Sequence, residues 1–334
     1  MSAPSPTRRR RWPWIVVFSV FGVLVAGAGL GAAYLWSLAA AYADNVTTLP
    51  EGDVFPDGST RPTQDPAHTE ATNILLLGSD ERGQTSVDDP AEIGDRRADT
   101  IMMVHIPADR DKVQVMSIMR DNWVSIPGHG EHKINAALAL GGIPLLVETV
   151  ESIVDVPIDH VAIIDFEGFR GLTDALGGVT VDNAQAFDAR GHTFPAGAIT
   201  LDGDDALVYV RERYAFPDGD YQRVRNQQAY VRAVLARLLD RATLTDPGRI
   251  HDTLGAIAPY LTVDEGLDAA TIAGIAVTLR DMRADDVHFF TAPTLGTAMI
   301  GDQSVVLPDT DALTEVAEAL RTDTVDDYLR RQDP

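Results

Sequence analysis

Three short apolar runs, Asn73–Ser79, Thr100–Ile106 and Val113–Met119, stand close together in the chain and are rich in β-branched and long aliphatic residues. Runs of that length and composition predict buried strands, which commits this part of the chain to a covered sheet. Each run carries ionisable residues at one end. Asp80 follows the first, Arg97 and Asp99 lead into the second, and Arg120 and Asp121 close the third. If neighbouring strands bring those ends to a common edge, carboxylates and guanidiniums surround one small volume. That composition suits a metal-bound phosphate.

Beyond the three runs the pattern alternates. KINAALALGGIPLLVETVESIV reads as two helical stretches split at Gly141-Gly142, with Pro144 opening the second. His160–Asp165 reads as a strand, Phe166–Leu176 as a short helix, and Gly177-Gly178 as a turn into another strand. From Leu201 onward come a short helix, a loop and a long amphipathic helix. On that helix Val224, Val231, Leu235 and Leu238 share one stripe, Gln228 interrupts it, and Arg223 and Gln227 share another face. Helices follow near 247–258 and 266–280, strands near 286–291 and 298–306, and a helix over 309–321. This alternation predicts an α/β fold, a layered single domain with a central mixed β-sheet flanked by helices. We place it at residues 72–325, with 326–334 as a C-terminal tail.

The N-terminus is of another kind. Residues 1–12 form a basic tail holding Arg8, Arg9, Arg10 and Arg11, and no charge appears from Trp14 to Ala43. About 20 apolar residues span a bilayer as a helix, and a signal peptide's apolar region runs to only about 7–15. We therefore expect an uncleaved transmembrane anchor at 13–38, the alternative being a signal cut after Ala41-Tyr42-Ala43. Arginines before the span place the N-terminus in the cytoplasm and the rest outside a single-pass cell membrane protein. Residues 39–71, with Pro50, Pro56, Pro62 and Pro66, read as an extracytoplasmic linker without a core. Removing four arginines from the net charge of −23 leaves −27 for residues 44–334. Such a surface repels nucleic acid, which excludes it as a partner. With zero cysteines, disulfides, thiol catalysis and zinc–thiolate sites are excluded as well.

In so acidic a chain, clustered arginines carry weight. Arg211 and Arg213 lie in VRER, and Arg223 stands one helical turn from Gln227. Guanidinium forks match phosphate oxygens, while Mg²⁺, or Mn²⁺ in its place, is held by one or two carboxylates plus substrate phosphates. Asp80 and Asp99 meet that need. Singly, each residue has an ordinary reading as a capping group or an ion-pair partner. His129 and His132 lack a third metal ligand, and Ser79 and Ser117 lack the context of a serine nucleophile.

The motifs NILLLGSDER (73–82), RADTIMMVHI (97–106), SIMRD (117–121), KINAA (133–137), VPIDHVAIIDFEGFRGLTDALGGV (156–179), LDGDDALVYVRER (201–213) and DGDYQRVRNQQ (218–228) together resemble the LytR-CpsA-Psr family. The resemblance covers half the chain, from about Asn73 to Leu239. It implies a membrane-anchored extracytoplasmic phosphotransferase. Such an enzyme moves a glycopolymer from a polyprenyl-pyrophosphate-linked glycan onto a peptidoglycan hydroxyl, usually the muramic acid C6 hydroxyl, and leaves a phosphodiester. The family's polymers are arabinogalactan, teichoic acid and capsule. By the resemblance, Asp80 and Asp99 bind the magnesium. Arg97, Arg120, Arg211, Arg213 and Arg223 grip the pyrophosphate with Gln227 nearby, and Asp80, Asp99 and Arg120 are the catalytic set. Two departures stand out: Met119 where the family usually has Pro, and Asn226 where it often has Arg. A polyprenyl-pyrophosphate pyrophosphatase and a non-catalytic prenyl-glycan-binding wall or regulatory protein remain the alternatives.

Overall fold

In the computed structural model the described residues are 34, 37–58, 61–63, 70–79, 98–238 and 246–332. A seven-stranded sheet organises them: β1 (Thr47–Leu49), β2 (Thr72–Ser79), β3 (Ala98–Ile106), β4 (Val113–Ile118), β7 (His160–Asp165), β12 (Leu261–Asp264) and β13 (Val287–Thr291), in the order β1-β12-β7-β2-β3-β4-β13. The sheet is mixed. β2 runs parallel to β7 and antiparallel to β3, which runs antiparallel to β4. These directions bring the ends of β2, β4 and β7 and the start of β3 to one edge, with Ser79 opposite both Ala98 and Asp165.

Alternation along β2 separates two layers. Leu75 and Leu77 are buried in the main core, against the helix Ala136–Val154, the helix Thr310–Arg321 and the C-terminal helix Val325–Gln332. Ile74 and Leu76 face the other layer, where Val231 and Leu235 of the long helix Asp220–Leu238 pack. Ala136–Val154 is long and apolar enough to cross a membrane. Here it is a core helix, with Leu146, Val147 and Val150 fully buried, and Gly141 and Gly142 break its helical dihedrals as their positions predict. Two small antiparallel pairs, β8 (Val179–Asn183) with β11 (Gly197–Leu201) and β9 (Phe187–Ala189) with β10 (His192–Phe194), enclose an aromatic cluster with the helix Gly203–Arg211.

Three expectations are corrected. The linker is not a coreless tether: Thr47–Leu49 adds as an edge strand parallel to β12, and Leu49 and Val54 are buried in the main core. Farther along the same segment, Arg61 Nε and Nη2 donate to Glu151 Oε1 at 3.0 and 2.7 Å. The C-terminal tail is likewise built in, because Val325 and Tyr328 are buried in the main core and Asp326 accepts from Lys112 Nζ at 2.9 Å. The strand expected at 298–306 is a hairpin, β14 (Thr294–Ile300) and β15 (Gln303–Pro308), turning at Gly301, whose φ of 61° suits glycine. The anchor expected at 13–38 lies almost wholly outside the described residues.

Candidate active site

The shared sheet edge opens into a cavity of about 430 Å³ between one sheet face and the helices Phe166–Ala175, Gly203–Arg211 and Asp220–Leu238. It has two kinds of wall. Along the strands and helices it is apolar, with Leu76, Met102, Ala162, Phe169, Leu207 and Val234 among its residues. At the strand ends it is charged, and Asp99, Arg120, Arg211, Arg213, Arg223 and Gln227 all line it. Asp80 and Arg97 lie outside the described residues. The other six residues expected at the site therefore come together.

Local structure explains how. The register between β2 and β3 shifts after Gly78, so that Gly78 faces Thr100 while Ser79 faces Ala98. Asp99 is the extra residue of a bulge, a device that re-aims a side chain at a strand end. Gly78 allows the close approach: a Cβ there would lie 2.9 Å from Thr100 Cβ. Arg120 leaves β4 on the neighbouring strand and donates through Nη1 to Asp99 Oδ1. Behind it, Asp121 lies 3.4 Å from Arg120 Nε and 3.0 Å from Lys133 Nζ. Burial alone would raise the Asp121 carboxyl, but the Lys133 hydrogen bond and the charges of Arg120 and Lys133 outweigh it and hold the pKa below the ordinary value.

On the other side, Asp220 holds two arginines at the start of the long helix. Its Oδ1 is 2.8 Å from Arg223 Nη2 and 3.6 Å from Arg213 Nη1. Arg223 is 5% exposed, and burial, followed by the nearby charge of Arg120, lowers its pKa. Arg211 stacks over the Phe166 ring at 4.1 Å, and Gln227 Nε2 donates to Val210 O at 3.4 Å.

Charge and unmet hydrogen bonding point to an anion. Among the described residues five arginines line the cavity against two carboxylates, Asp99 and Asp165, and Asp165 Oδ1 is engaged in capping a helix through Gly168 N. Among the described residues Arg223 Nε is buried without a hydrogen bond and Arg120 Nε has only the 3.4 Å ion pair to Asp121, and buried donors of this kind normally find an acceptor. Of the two expected metal ligands the described residues include Asp99 alone, whose Oδ1 accepts from Arg120. Asp99 offers oxygen at the charged end, and Mg²⁺ needs only one or two carboxylates beside phosphate oxygens. Among the described residues no group of three His, Cys, Asp or Glu side chains could cage a metal without substrate.

The two departures from the family pattern leave the cavity wall intact. Asn226 is 1% exposed and donates to Tyr209 O at 3.1 Å, so it is a core residue. Met119 is buried with Val224 and Val306. Arg190 and Tyr214, which the sequence does not single out, line the cavity. An Arg-Gly pair between short runs signals a turn, yet nothing local announces where that turn points.

The sequence pattern of the LytR_cpsA_psr family matches residues 47–322. A polyisoprenyl-teichoic acid–peptidoglycan teichoic acid transferase TagU from Oceanobacillus iheyensis is 36% identical over 256 residues, covering 74% of this chain and 76% of that protein. The cell wall biosynthesis protein LcpA of Corynebacterium glutamicum is 32% identical over 279 residues, covering 72% of this chain and 53% of that protein. The solved structure of TagT bound to LIIa-WTA superposes with a TM-score of 0.61 at 25% identity, covering 81% of this chain and 98% of that one.

Proposed function

This chain belongs to the LytR-CpsA-Psr family, and we propose that it transfers a glycopolymer from a polyprenyl-pyrophosphate carrier to a hydroxyl of peptidoglycan. One observation carries the reading: a single cavity joins an arginine-rich end to an apolar wall. A prenyl tail fills the apolar part, and the pyrophosphate lies among Arg120, Arg211, Arg213 and Arg223. TagU is named as a polyisoprenyl-teichoic acid transferase, which supports a lipid-linked donor of this class.

In the reaction the acceptor hydroxyl gives its proton to a carboxylate of the site, and its oxygen attacks the phosphorus that bears the glycan. The bond from that phosphorus to the bridging oxygen breaks, prenyl phosphate leaves, and a phosphodiester remains on the wall. Such transfer depends mostly on positioning and on stabilising charge spread over the phosphoryl oxygens. Arg223 and Arg213, fixed by Asp220, hold the donor, and Arg120 faces the oxygens whose charge grows during transfer. Mg²⁺ held by Asp99 and Asp80 would supply further neutralisation of the pyrophosphate. The Phe166 ring under Arg211 supports its guanidinium at the charged end of the cavity. We place the domain outside the membrane, tethered by residues 13–38.

The test is incubation with a prenyl-pyrophosphate glycan and peptidoglycan. Wall-linked glycan and free prenyl phosphate should form together, with Mg²⁺ required and Asp99→Ala inactive. Prenyl phosphate released at the same rate without an acceptor would instead identify a pyrophosphatase.

A further inference from the structure

The β9–β10 hairpin turns through Arg190 and Gly191, whose φ values are 50° and 89°. Two positive values mark the tight hairpin turn in which Asn, Asp or Gly is the favoured first residue, and arginine there adopts a conformation that side chains with a Cβ resist. The hairpin gains nothing visible from the arginine. Arg190 is exposed, lines the cavity, and makes no hydrogen bond or ion pair among the described residues, in a chain of net charge −23. An unfavourable backbone conformation holding a free cation over a cavity is an observation that points toward a ligand.

Tyr214 completes the pattern. Tyr214 is 80% exposed, yet it also lines the cavity; its hydroxyl accepts from Arg213 Nη2 at 2.7 Å, and the Arg213 guanidinium covers one face of its ring at 4.7 Å. The hairpin and the Tyr214 loop are locked to each other. Phe187 of β9 stacks on Phe194 of β10 at 4.7 Å and meets Phe216, two residues beyond Tyr214, edge-on at 4.8 Å. A rigid apolar base thus presents an aromatic face and a guanidinium beside the pyrophosphate-binding Arg213.

We propose that Arg190 and Tyr214 form the subsite for the sugar next to the pyrophosphate. The sugar stacks on the face of Tyr214 that Arg213 leaves open, and its oxygens accept hydrogen bonds from Arg190. The assignment rests on the donor reading above and adds to it the groups that discriminate between glycans. An exposed aromatic ring gives such contact at little entropic cost, and a charged donor rewards oxygen acceptors at fixed positions.

The experiment compares two probes, geranylgeranyl pyrophosphate and the same lipid pyrophosphate carrying N-acetylglucosamine, by titration against the wild-type chain and two variants. Arg190→Asn suits the turn better than the native residue, so its melting temperature should stay the same or rise. Tyr214→Ala leaves the core intact but also releases Arg213 from the ring and hydroxyl, so its effect is read as the ratio between the two probes. Each variant should weaken binding of the sugar-bearing probe about tenfold more than binding of the sugar-free probe, the loss of roughly one charge-assisted or stacking contact, and Arg190→Asn should leave the sugar-free probe within about twofold. Equal weakening of both probes would make these residues pyprophosphate ligands and overturn the subsite. Unchanged binding of both probes would overturn it as well. A wild-type chain that binds neither probe would refute the donor reading itself, a pattern distinct from the other two.

Discussion

Arg223→Ala separates what holds the donor from what holds the fold. Arg223 is buried, its Nε has no hydrogen bond among the described residues, and its Nη2 lies 2.8 Å from Asp220 Oδ1. If Nε serves the pyrophosphate, its loss removes one hydrogen bond to a charged group, about 1.5–3 kcal/mol, and weakens donor binding roughly tenfold to a hundredfold. The same change strands Asp220, whose side chain is 21% exposed and whose remaining partner, Arg213, is 3.6 Å away. An orphaned, mostly buried carboxylate costs about 1–3 kcal/mol, less than a fully buried broken pair because water and Arg213 still reach it. In a domain of this size that lowers Tm by roughly 2–12 °C. Adding Asp220→Asn removes the stranded charge, so the double variant should recover most of the Tm and none of the affinity. Calorimetric melting and titration with geranylgeranyl pyrophosphate read the two quantities separately. Affinity restored along with Tm, or unchanged in the single variant, would refute the assignment of Arg223 to the donor.

Three further outcomes follow from particular contacts. Gly78→Val places a Cβ 2.9 Å from Thr100 Cβ at the bulge that aims Asp99, so overpacking should cost about 1–3 kcal/mol by denaturant unfolding and reduce transfer; wild-type stability would show that the strands do not approach this closely. Gln228→Leu would complete the apolar stripe yet strand Ser117 Oγ and Phe290 O, which accept from Gln228 Nε2 at 3.0 and 3.1 Å. It should lose about 1–3 kcal/mol, and a gain would contradict the clamp. Asp121 has a folded pKa below its ordinary 3.8, so its stabilising contribution is fully present above that value and disappears as pH falls through the lowered one. Asp121→Asn should therefore flatten the acid limb of a Tm–pH curve below about pH 4, and an unchanged limb would discount the Lys133 and Arg120 contacts.

Much of the sheet is legible in the sequence because apolar runs are bounded by ionisable residues, and β2, β3, β4 and β7 fall where the pattern places them. The order β7-β2-β3-β4 is not local information, and it alone carries Asp99, Arg120 and Asp165 to one edge. Strand β1 escapes notice because three residues among prolines show no periodicity; its pairing with β12 is settled by contacts more than two hundred positions away. The interruption at Gln228 is visible, whereas its purpose needs β4 and β13 beside it. The apolar wall of the cavity is written in the same Leu, Val and Phe residues as the core, so only the packed helices distinguish a lined space from a filled one.

Transfer carried out in H₂¹⁸O distinguishes a wall hydroxyl from water as the acceptor. When a wall hydroxyl displaces prenyl phosphate, the phosphate that links the glycan to peptidoglycan gains no oxygen from water. Mass spectrometry of the muramidase-released linkage unit should therefore show an unlabelled phosphodiester, formed in step with free prenyl phosphate. A glycan phosphate monoester carrying ¹⁸O, with no diester on the wall, would mean that water is the acceptor and that the protein is not a glycopolymer transferase.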